Sequence, residues 1–97
     1  MFIVLLKYVK PLNEIDALLP DHINYLEDQY AKSKFIFSGR RNPRTGGVIL
    51  VNTDSEKELR AILQKDPFYI HKVAEYETIE FTPTKFDPQF TCFIEKN

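Results

Sequence analysis

The sequence predicts a single α+β domain, in which four strands form an antiparallel sheet and two helices cover one of its faces. The chain has 97 residues, which is the length of one domain. Apolar runs typical of strands alternate with amphipathic runs typical of helices, in the order β-α-β-β-α-β. Right-handed crossovers and pairing of neighbouring strands then place the first and third strands in the middle of the sheet.

The predicted strands differ in how apolar they are. The first strand, 2–9, and the third, 47–52, are apolar at nearly every position, which indicates burial on both faces. The second strand starts at Phe35, and a loop rich in turn-forming residues, 42–47, joins it to the third. The fourth strand, 73–81, mixes polar and apolar side chains, as expected of an edge strand.

The first helix is predicted in two parts. A short turn over 14–18 precedes a main helix from about Pro20 to Lys32, because proline fits the first turn of a helix but not its interior. The prediction places His22 in the opening turn, where the helix dipole favours a neutral ring. The spacing i, i+3, i+7 gives the main helix one apolar stripe, formed by Ile23, Leu26 and Tyr30.

A second helix begins at the capping box Ser55-Glu-Lys-Glu58. It is expected to end at Asp66, because a residue before proline avoids helical dihedral angles. Pro67 then fixes the backbone of the turn into the fourth strand, and Phe68 anchors that turn in the core.

The chain is expected to divide into a domain, 1–82, and an aromatic tail, 83–97. The tail carries too many large apolar side chains for a disordered terminus. We expect it to pack on the domain or on a partner subunit, with residues 90–94 either adding a short strand or lying on that partner.

The second face of the sheet predicts a homodimer. Two helices cover only one face, so the other exposes aliphatic and aromatic side chains over roughly several hundred square ångströms, more than monomers usually tolerate. Packing sheet against sheet between two copies of the chain would bury this surface.

The charge balance and composition exclude several classes of function. The net charge is −1, with 13 basic and 14 acidic residues well mixed, so nucleic acid is not expected as a partner. A single cysteine, Cys92, excludes an intrachain disulfide and a cysteine-based metal site. The apolar start, 1–6, is too short for a signal-peptide core or a membrane span. We therefore expect a cytoplasmic protein that contacts no membrane.

His22 and Asp66 are the two candidate catalytic residues. A neutral imidazole can accept a proton, and a neighbouring carboxylate can orient that imidazole. Simpler interpretations stay open, since His22 is equally explained as a polar residue at a helix start. Asp66 is equally explained as the cap of the turn that an Asp-Pro pair opens. The topology permits the two side chains to meet at one end of the sheet without requiring it.

Three further residues are candidates for ligand binding. Ser38 can donate a hydrogen bond beside the hairpin loop, and Arg40 can bind a carboxylate or a phenolate. For the neighbouring Arg41 and Arg44, solvated charges on the hairpin are the favoured interpretation. His71 reaches either the same end of the sheet as Asp66 or the surface. No spacing in the chain suits a metal site, so neither a metal nor another cofactor is expected.

Short segments along the chain, taken together, carry a family resemblance. In order they are Pro20-x-His22-x-x-Tyr25-Leu26, Phe37-Ser38-Gly39-Arg40, Gly46-Gly47-x-Ile49, Asp66-Pro67-Phe68, Ala74-Glu75-Tyr76 and Ile79-x-Phe81. Their order and spacing over residues 1–82 resemble the YciI-related (YCII) domain family.

The resemblance implies a ferredoxin-like domain that dimerises as an α+β barrel. It also implies a His-Asp active site at His22 and Asp66, with the serine of the family at Ser38. One known activity in the family is dehydrochlorination of a chlorinated hydroxyquinol, an elimination that depends on proton transfer. The chain departs from the family at Arg40, where a proline is usual, and at Lys72, where many members have glycine. The identity of the substrate therefore does not carry over.

These observations lead to a first hypothesis with two rivals. The first is a small enzyme of the lyase or isomerase kind, in which His22 moves a proton and Asp66 orients it. Ser38 and Arg40 would position a small anionic or phenolic molecule. The rivals are a non-catalytic dimer that binds or senses a small molecule in the same cleft, and an interaction module whose sheet face binds a partner.

Overall fold

The computed structural model describes residues 1–94 and confirms the predicted α+β class. The sheet has the order β2-β3-β1-β4, with every neighbouring pair antiparallel, so β1 and β3 are the central strands. This is the ferredoxin-like arrangement. Its elements are β1 Phe2–Tyr8, α1 Leu12–Ala31, β2 Phe35–Arg40, β3 Gly46–Val51, α2 Glu56–Leu63, α3 Pro67–Ile70, β4 Ala74–Glu80, a 3-10 turn Pro88–Phe90 and α4 Thr91–Ile94.

The hydrophobic core lies between one face of the sheet and the helices. Val4 of β1 is fully buried on this face, opposite Ile49 of β3, and both contribute to one cluster with Ile15 of α1 and Leu59 of α2. Alternate strand residues point to the opposite face, where they are only half-buried or exposed. That open face carries Ile3, Leu5, Phe37, Val48, Leu50 and Ile79.

Helix α1 is one continuous helix of 20 residues, so the predicted break at Pro20 is wrong. Proline in a helix interior removes one backbone hydrogen bond and costs roughly 3 kcal/mol. Buried side chains on both sides of the proline, such as Ile15 and Tyr25, outweigh that cost by packing on the same core. His22 therefore lies in the third turn of the helix, and the predicted effect of the helix N-terminus on its ring does not apply.

The buried face of α1 also differs from the predicted stripe. Ile23 and Tyr30 are 44% and 38% exposed. The apolar spacing pointed to the wrong face because the buried one includes two polar residues. That face is formed by Ile15, His22, Tyr25 and Gln29.

A short helix that was not predicted separates α2 from β4. Helix α2 is capped as expected, with the Ser55 hydroxyl accepting a hydrogen bond from the Glu58 amide. It ends at Leu63, and Asp66 with Pro67 then begins the single-turn helix α3. After α3, Lys72 adopts a left-handed backbone conformation with φ of 57°, a conformation that favours glycine.

The tail forms helical turns, so the first of the two alternatives for residues 90–94, a short strand, is wrong. Asp87 accepts a hydrogen bond from the Gln89 amide and Pro88 follows it, which is a helix-starting combination. The Phe90 ring makes an edge-to-face contact with Phe37 of β2, with ring centroids 6.3 Å apart. The end of the predicted tail, 95–97, lies outside the described residues.

Candidate active site

A cavity of about 450 Å³ opens between helix α1 and the sheet. Side chains such as Leu6, Leu26 and Ile49 form its apolar walls. Its polar lining comes from Tyr8, Asp16, His22, Ser38, Arg40 and Arg44. The volume falls in the range of small-molecule sites, and a few polar groups in apolar walls are typical of such sites.

The structure brings His22 and Asp66 into direct contact. His22 Nδ1 lies 2.7 Å from Asp66 Oδ1, although 44 positions separate the two residues in sequence. The His22 side chain forms part of the cavity wall and the residue is 8% exposed, whereas Asp66 is completely buried behind it. The arrangement that the topology only permitted is therefore present, and the catalytic roles of the two residues stay predictions.

Three donors converge on the Asp66 carboxylate. Oδ1 accepts from the Phe68 amide at 3.0 Å as well as from His22, and Oδ2 accepts from the Tyr76 hydroxyl at 2.6 Å. With both oxygens acting as acceptors, His22 Nδ1 must be the donor in the contact that it makes. The ring nitrogen that remains for a ligand is therefore Nε2. Within residues 1–94, no hydrogen bond engages it.

The segment Asp66-Pro67-Phe68 fixes the imidazole from two directions. The Phe68 ring stacks on the His22 ring, with centroids 3.9 Å apart and planes 8° from parallel. Phe68 itself is 1% exposed, which confirms the prediction that it anchors the turn in the core. The same turn that Asp66 caps thus supplies both the carboxylate and the aromatic surface that hold His22.

The buried Tyr25 and the partly buried Tyr76 surround this pair, and neither is among the predicted site residues. Burial raises the pKa of Tyr76 above its usual range, and the charge and hydrogen bond of Asp66 add to the shift. Burial, with a smaller effect of the Asp66 charge, also raises the pKa of Tyr25, whose hydroxyl donates to the Ile62 carbonyl. Both hydroxyls therefore stay protonated and neutral around the carboxylate.

The predicted ligand-binding residues separate into two groups. Ser38 and Arg40 line the cavity, as His22 does. The Ser38 hydroxyl also lies 2.7 Å from the Tyr30 hydroxyl, so α1 holds it in place. The structure does not bring His71 to the cavity. The additional short helix α3 places His71 at its C-terminal end, where the residue is exposed.

Arg44 lines the cavity, against the interpretation of it as a solvated charge. Its guanidinium Nη2 donates to Asp16 Oδ1 of helix α1. The hydrogen bond to Asp16 is the main cause that raises the pKa of Arg44. The long first helix explains why this was missed, since Asp16 belonged to a separate short turn in the prediction.

The described part of the chain shows neither a metal cluster nor a membrane helix. Within residues 1–94, no group of three or more histidine, cysteine, aspartate or glutamate side chains is placed to hold a metal ion. None of the helices over the same residues has the length and apolar character needed to cross a bilayer.

The fold and the site define a ferredoxin-like domain with a buried His-Asp pair beside a cavity of about 450 Å³. The family model described as YCII-related domain matches residues 1–82, so the chain belongs to this family.

Among solved structures, the chain is similar to 5-chloro-2-hydroxyhydroquinone dehydrochlorinase from Burkholderia phenoliruptrix AC1100 in complex with 2,5-dihydroxybenzoquinone. The TM-score is 0.69 at 18% sequence identity, covering 84% of this chain and 93% of that chain. At this identity the likeness establishes a shared fold. No curated protein matches the chain.

Proposed function

We propose that this protein is a small enzyme of the lyase or isomerase kind that transfers a proton on a small anionic or phenolic molecule. The observation that carries the proposal is the buried contact between His22 Nδ1 and Asp66 Oδ1 at the wall of the cavity. A carboxylate that fixes one ring nitrogen leaves the other free to act as a base.

In the proposed reaction, His22 Nε2 takes a proton from a hydroxyl or carbon of the ligand. The resulting imidazolium lies beside Asp66, whose negative charge stabilises it. Returning the proton to a different atom of the ligand completes an isomerisation. If instead a neighbouring group leaves with its bonding electrons, the step is an elimination. Ser38 and Arg40 position the ligand in the cavity.

The family and the similar solved structure support a substrate of modest size. The similar enzyme is a dehydrochlorinase in complex with 2,5-dihydroxybenzoquinone, a single ring with ionisable hydroxyl groups. A cavity of about 450 Å³ has room for one substituted ring of this kind. The proposal includes no resident cofactor, a cytoplasmic location and no nucleic-acid partner.

A panel of halogenated and halogen-free hydroquinones and hydroxyquinols tests the proposal by steady-state kinetics. We expect His22→Ala to reduce turnover to background, because the base is gone. Asp66→Asn should lower kcat by about 10²- to 10⁴-fold, the usual contribution of positioned acid–base groups. His71→Ala is the matched control, since this second histidine is exposed and lies outside the cavity.

Two outcomes would reject the enzyme. Turnover that survives His22→Ala in a folded protein would show that the proposed base is not needed. Ligand binding that is retained across the panel without any turnover would favour the alternative, a non-catalytic dimer that binds or senses a small molecule.

The proposal also includes a homodimer that buries the open face of the sheet. Half-buried and exposed apolar residues from all four strands share that face. The tail borders it, because Phe90 packs on Phe37, whose cross-strand partner is Leu50. We therefore propose that the described part of the tail, 83–94, packs on the 1–82 domain at the edge of the interface.

A further inference from the structure

The cavity is more positive than the chain as a whole. The protein carries a net charge of −1. Among the cavity-lining residues, all within 1–94, the permanently cationic side chains are Arg40 and Arg44, and the only carboxylate is Asp16. One positive charge is therefore in excess in the wall of a small-molecule site, where it attracts an anionic ligand.

Arg44 and Asp16 form an ion pair that a ligand can reach. The guanidinium comes from the β2–β3 hairpin and the carboxylate from helix α1, and both line the cavity. The side chains are 33% and 54% exposed. Ion pairs this exposed contribute little to stability, so exchanging the partner of Arg44 costs the fold little.

The contact with Asp16 shows which chemical group the Arg44 guanidinium binds. Asp16 presents a carboxylate, and a planar guanidinium with five N–H donors matches the geometry of a carboxylate. A carboxylate on a ligand can therefore take the position of Asp16, with Arg40 as a second cation on the same wall.

We propose that the substrate carries a carboxylate, separate from the group that exchanges a proton with His22, and that this carboxylate displaces Asp16 from Arg44. Arg44 is then a specificity-determining residue, and Asp16 is an internal competitor that weakens binding of the substrate. This inference rests on the proposed function for the location of the ligand and adds the chemical class of the substrate.

Two probes of the same ring test the proposal by isothermal titration calorimetry. The first is 2,5-dihydroxybenzoate, and the second is hydroquinone, which lacks the carboxylate. We expect the wild type to bind the carboxylate probe about tenfold or more tightly, as charge-assisted hydrogen bonds allow. Arg44→Gln should bring the two affinities together. Asp16→Asn should tighten binding of 2,5-dihydroxybenzoate and leave that of hydroquinone unchanged.

Opposite effects of Arg44→Gln and Asp16→Asn on the affinity for 2,5-dihydroxybenzoate would indicate that Asp16 competes with the ligand for Arg44. Arg41→Gln is the matched control, because it removes the same charge from the same hairpin at a residue that does not line the cavity. Circular dichroism checks that each variant is folded, as expected at surface-accessible positions.

Equal affinity of the wild type for both probes overturns the proposal, as does the absence of binding of 2,5-dihydroxybenzoate at millimolar concentration. A loss of affinity in Asp16→Asn overturns it too. The same titrations on His22→Ala separate this inference from the proposed function, since they measure binding alone. A preference for the carboxylate probe without turnover on any panel compound supports the inference and rejects the enzyme. Turnover without a preference for the carboxylate probe supports the enzyme and rejects the inference.

Discussion

The carboxylate of Asp66 serves the fold and the candidate site together. It caps α3 through the Phe68 amide, and it also holds His22 and Tyr76. Removing it would leave buried donors without acceptors, which costs about 1–3 kcal/mol for each group. Asp66→Asn keeps the shape and one acceptor oxygen, so it separates the effect on catalysis from the effect on folding better than alanine does.

Tyr76 makes the stability of the protein depend on pH above about 10. Its pKa is raised in the folded protein, chiefly by burial, from an ordinary value of 10.0. The unfolded chain therefore loses this proton at a lower pH than the folded one. Stability from this residue is complete below pH 10 and is lost as the pH rises further towards the folded pKa.

Tyr76→Phe should make the free energy of unfolding fall less steeply between pH 10 and about 11. The change in slope should correspond to at most one proton released on unfolding. Urea titrations at several pH values measure the slope in both proteins. Comparing the variant with the wild type cancels the ionisation of lysines and other tyrosines. An unchanged slope would show that the Tyr76 hydroxyl is not shielded from solvent beside Asp66 as it is in the structure. At neutral pH the variant should lose about 1 kcal/mol of stability, the typical net contribution of one hydrogen bond.

Side-chain type and the family resemblance made His22 and Asp66 candidates, but their neighbours could not be predicted. Only two histidines are present in the chain, and an aspartate before proline is an identifiable turn residue. Tyr76 lies in a strand of mixed polarity, where alternation gives its face but not a partner ten positions earlier. The register of β4 against β1 would have indicated that Tyr76 faces the core, because Tyr76 pairs with the buried Leu6 of β1.

At the scale of the elements, the first helix shows how packing overrides a local rule. Pro20 predicted a break, yet α1 runs through it, because the proline is exposed while its neighbours along the helix bury a continuous face. The continuity of α1 also determines the geometry of the candidate site. One rigid helix carries both Asp16 and His22 to the cavity, whereas two separate helical pieces would not fix their spacing.

The pairing of β1 with β3 depends on Gly46. A Cβ atom at this position would lie 1.7 Å from the backbone carbonyl oxygen of Leu6, so the strands would have to move apart. We expect Gly46→Ala to destabilise the protein by about 3 kcal/mol, at the upper end of overpacking effects, because the obstacle is backbone in a central strand. Urea unfolding of the purified variant measures this loss.

Gly39→Ala is the matched control, since a Cβ atom there meets nothing within 4 Å. Its unfolding midpoint should stay close to that of the wild type. Equal midpoints for the two alanine variants would mean that β1 and β3 are not as close in solution as in the structure.

At the scale of the whole molecule, the topology was the most predictable feature. Strand order follows from right-handed crossovers and from the number of strands and helices, which the apolar patterns indicate directly. The cavity was less predictable. It depends on the length of α1 and on the side chains that α1 and the hairpin place opposite one another, such as Asp16 and Arg44.

The open face of the sheet is where the proposed dimer can be tested. Ile79 of β4 is 45% exposed on this face, beside Ile3 of β1. In a sheet-to-sheet dimer, a glutamate at position 79 would be buried close to the same glutamate of the second copy. We expect the wild type to sediment as a dimer and Ile79→Glu to shift towards monomer at micromolar concentration, since buried unpaired charges cost several kcal/mol.

Ile70→Glu is the control for this experiment, because Ile70 is 58% exposed on α3, away from the sheet face. It should sediment as the wild type does. Both positions are exposed in the single chain, so neither charge should unfold it. A wild-type protein that sediments as a monomer would reject the dimer, and the apolar face would then be free to bind a different partner, as an interaction module requires. A dimer unaffected by Ile79→Glu would place the interface on another surface of the molecule.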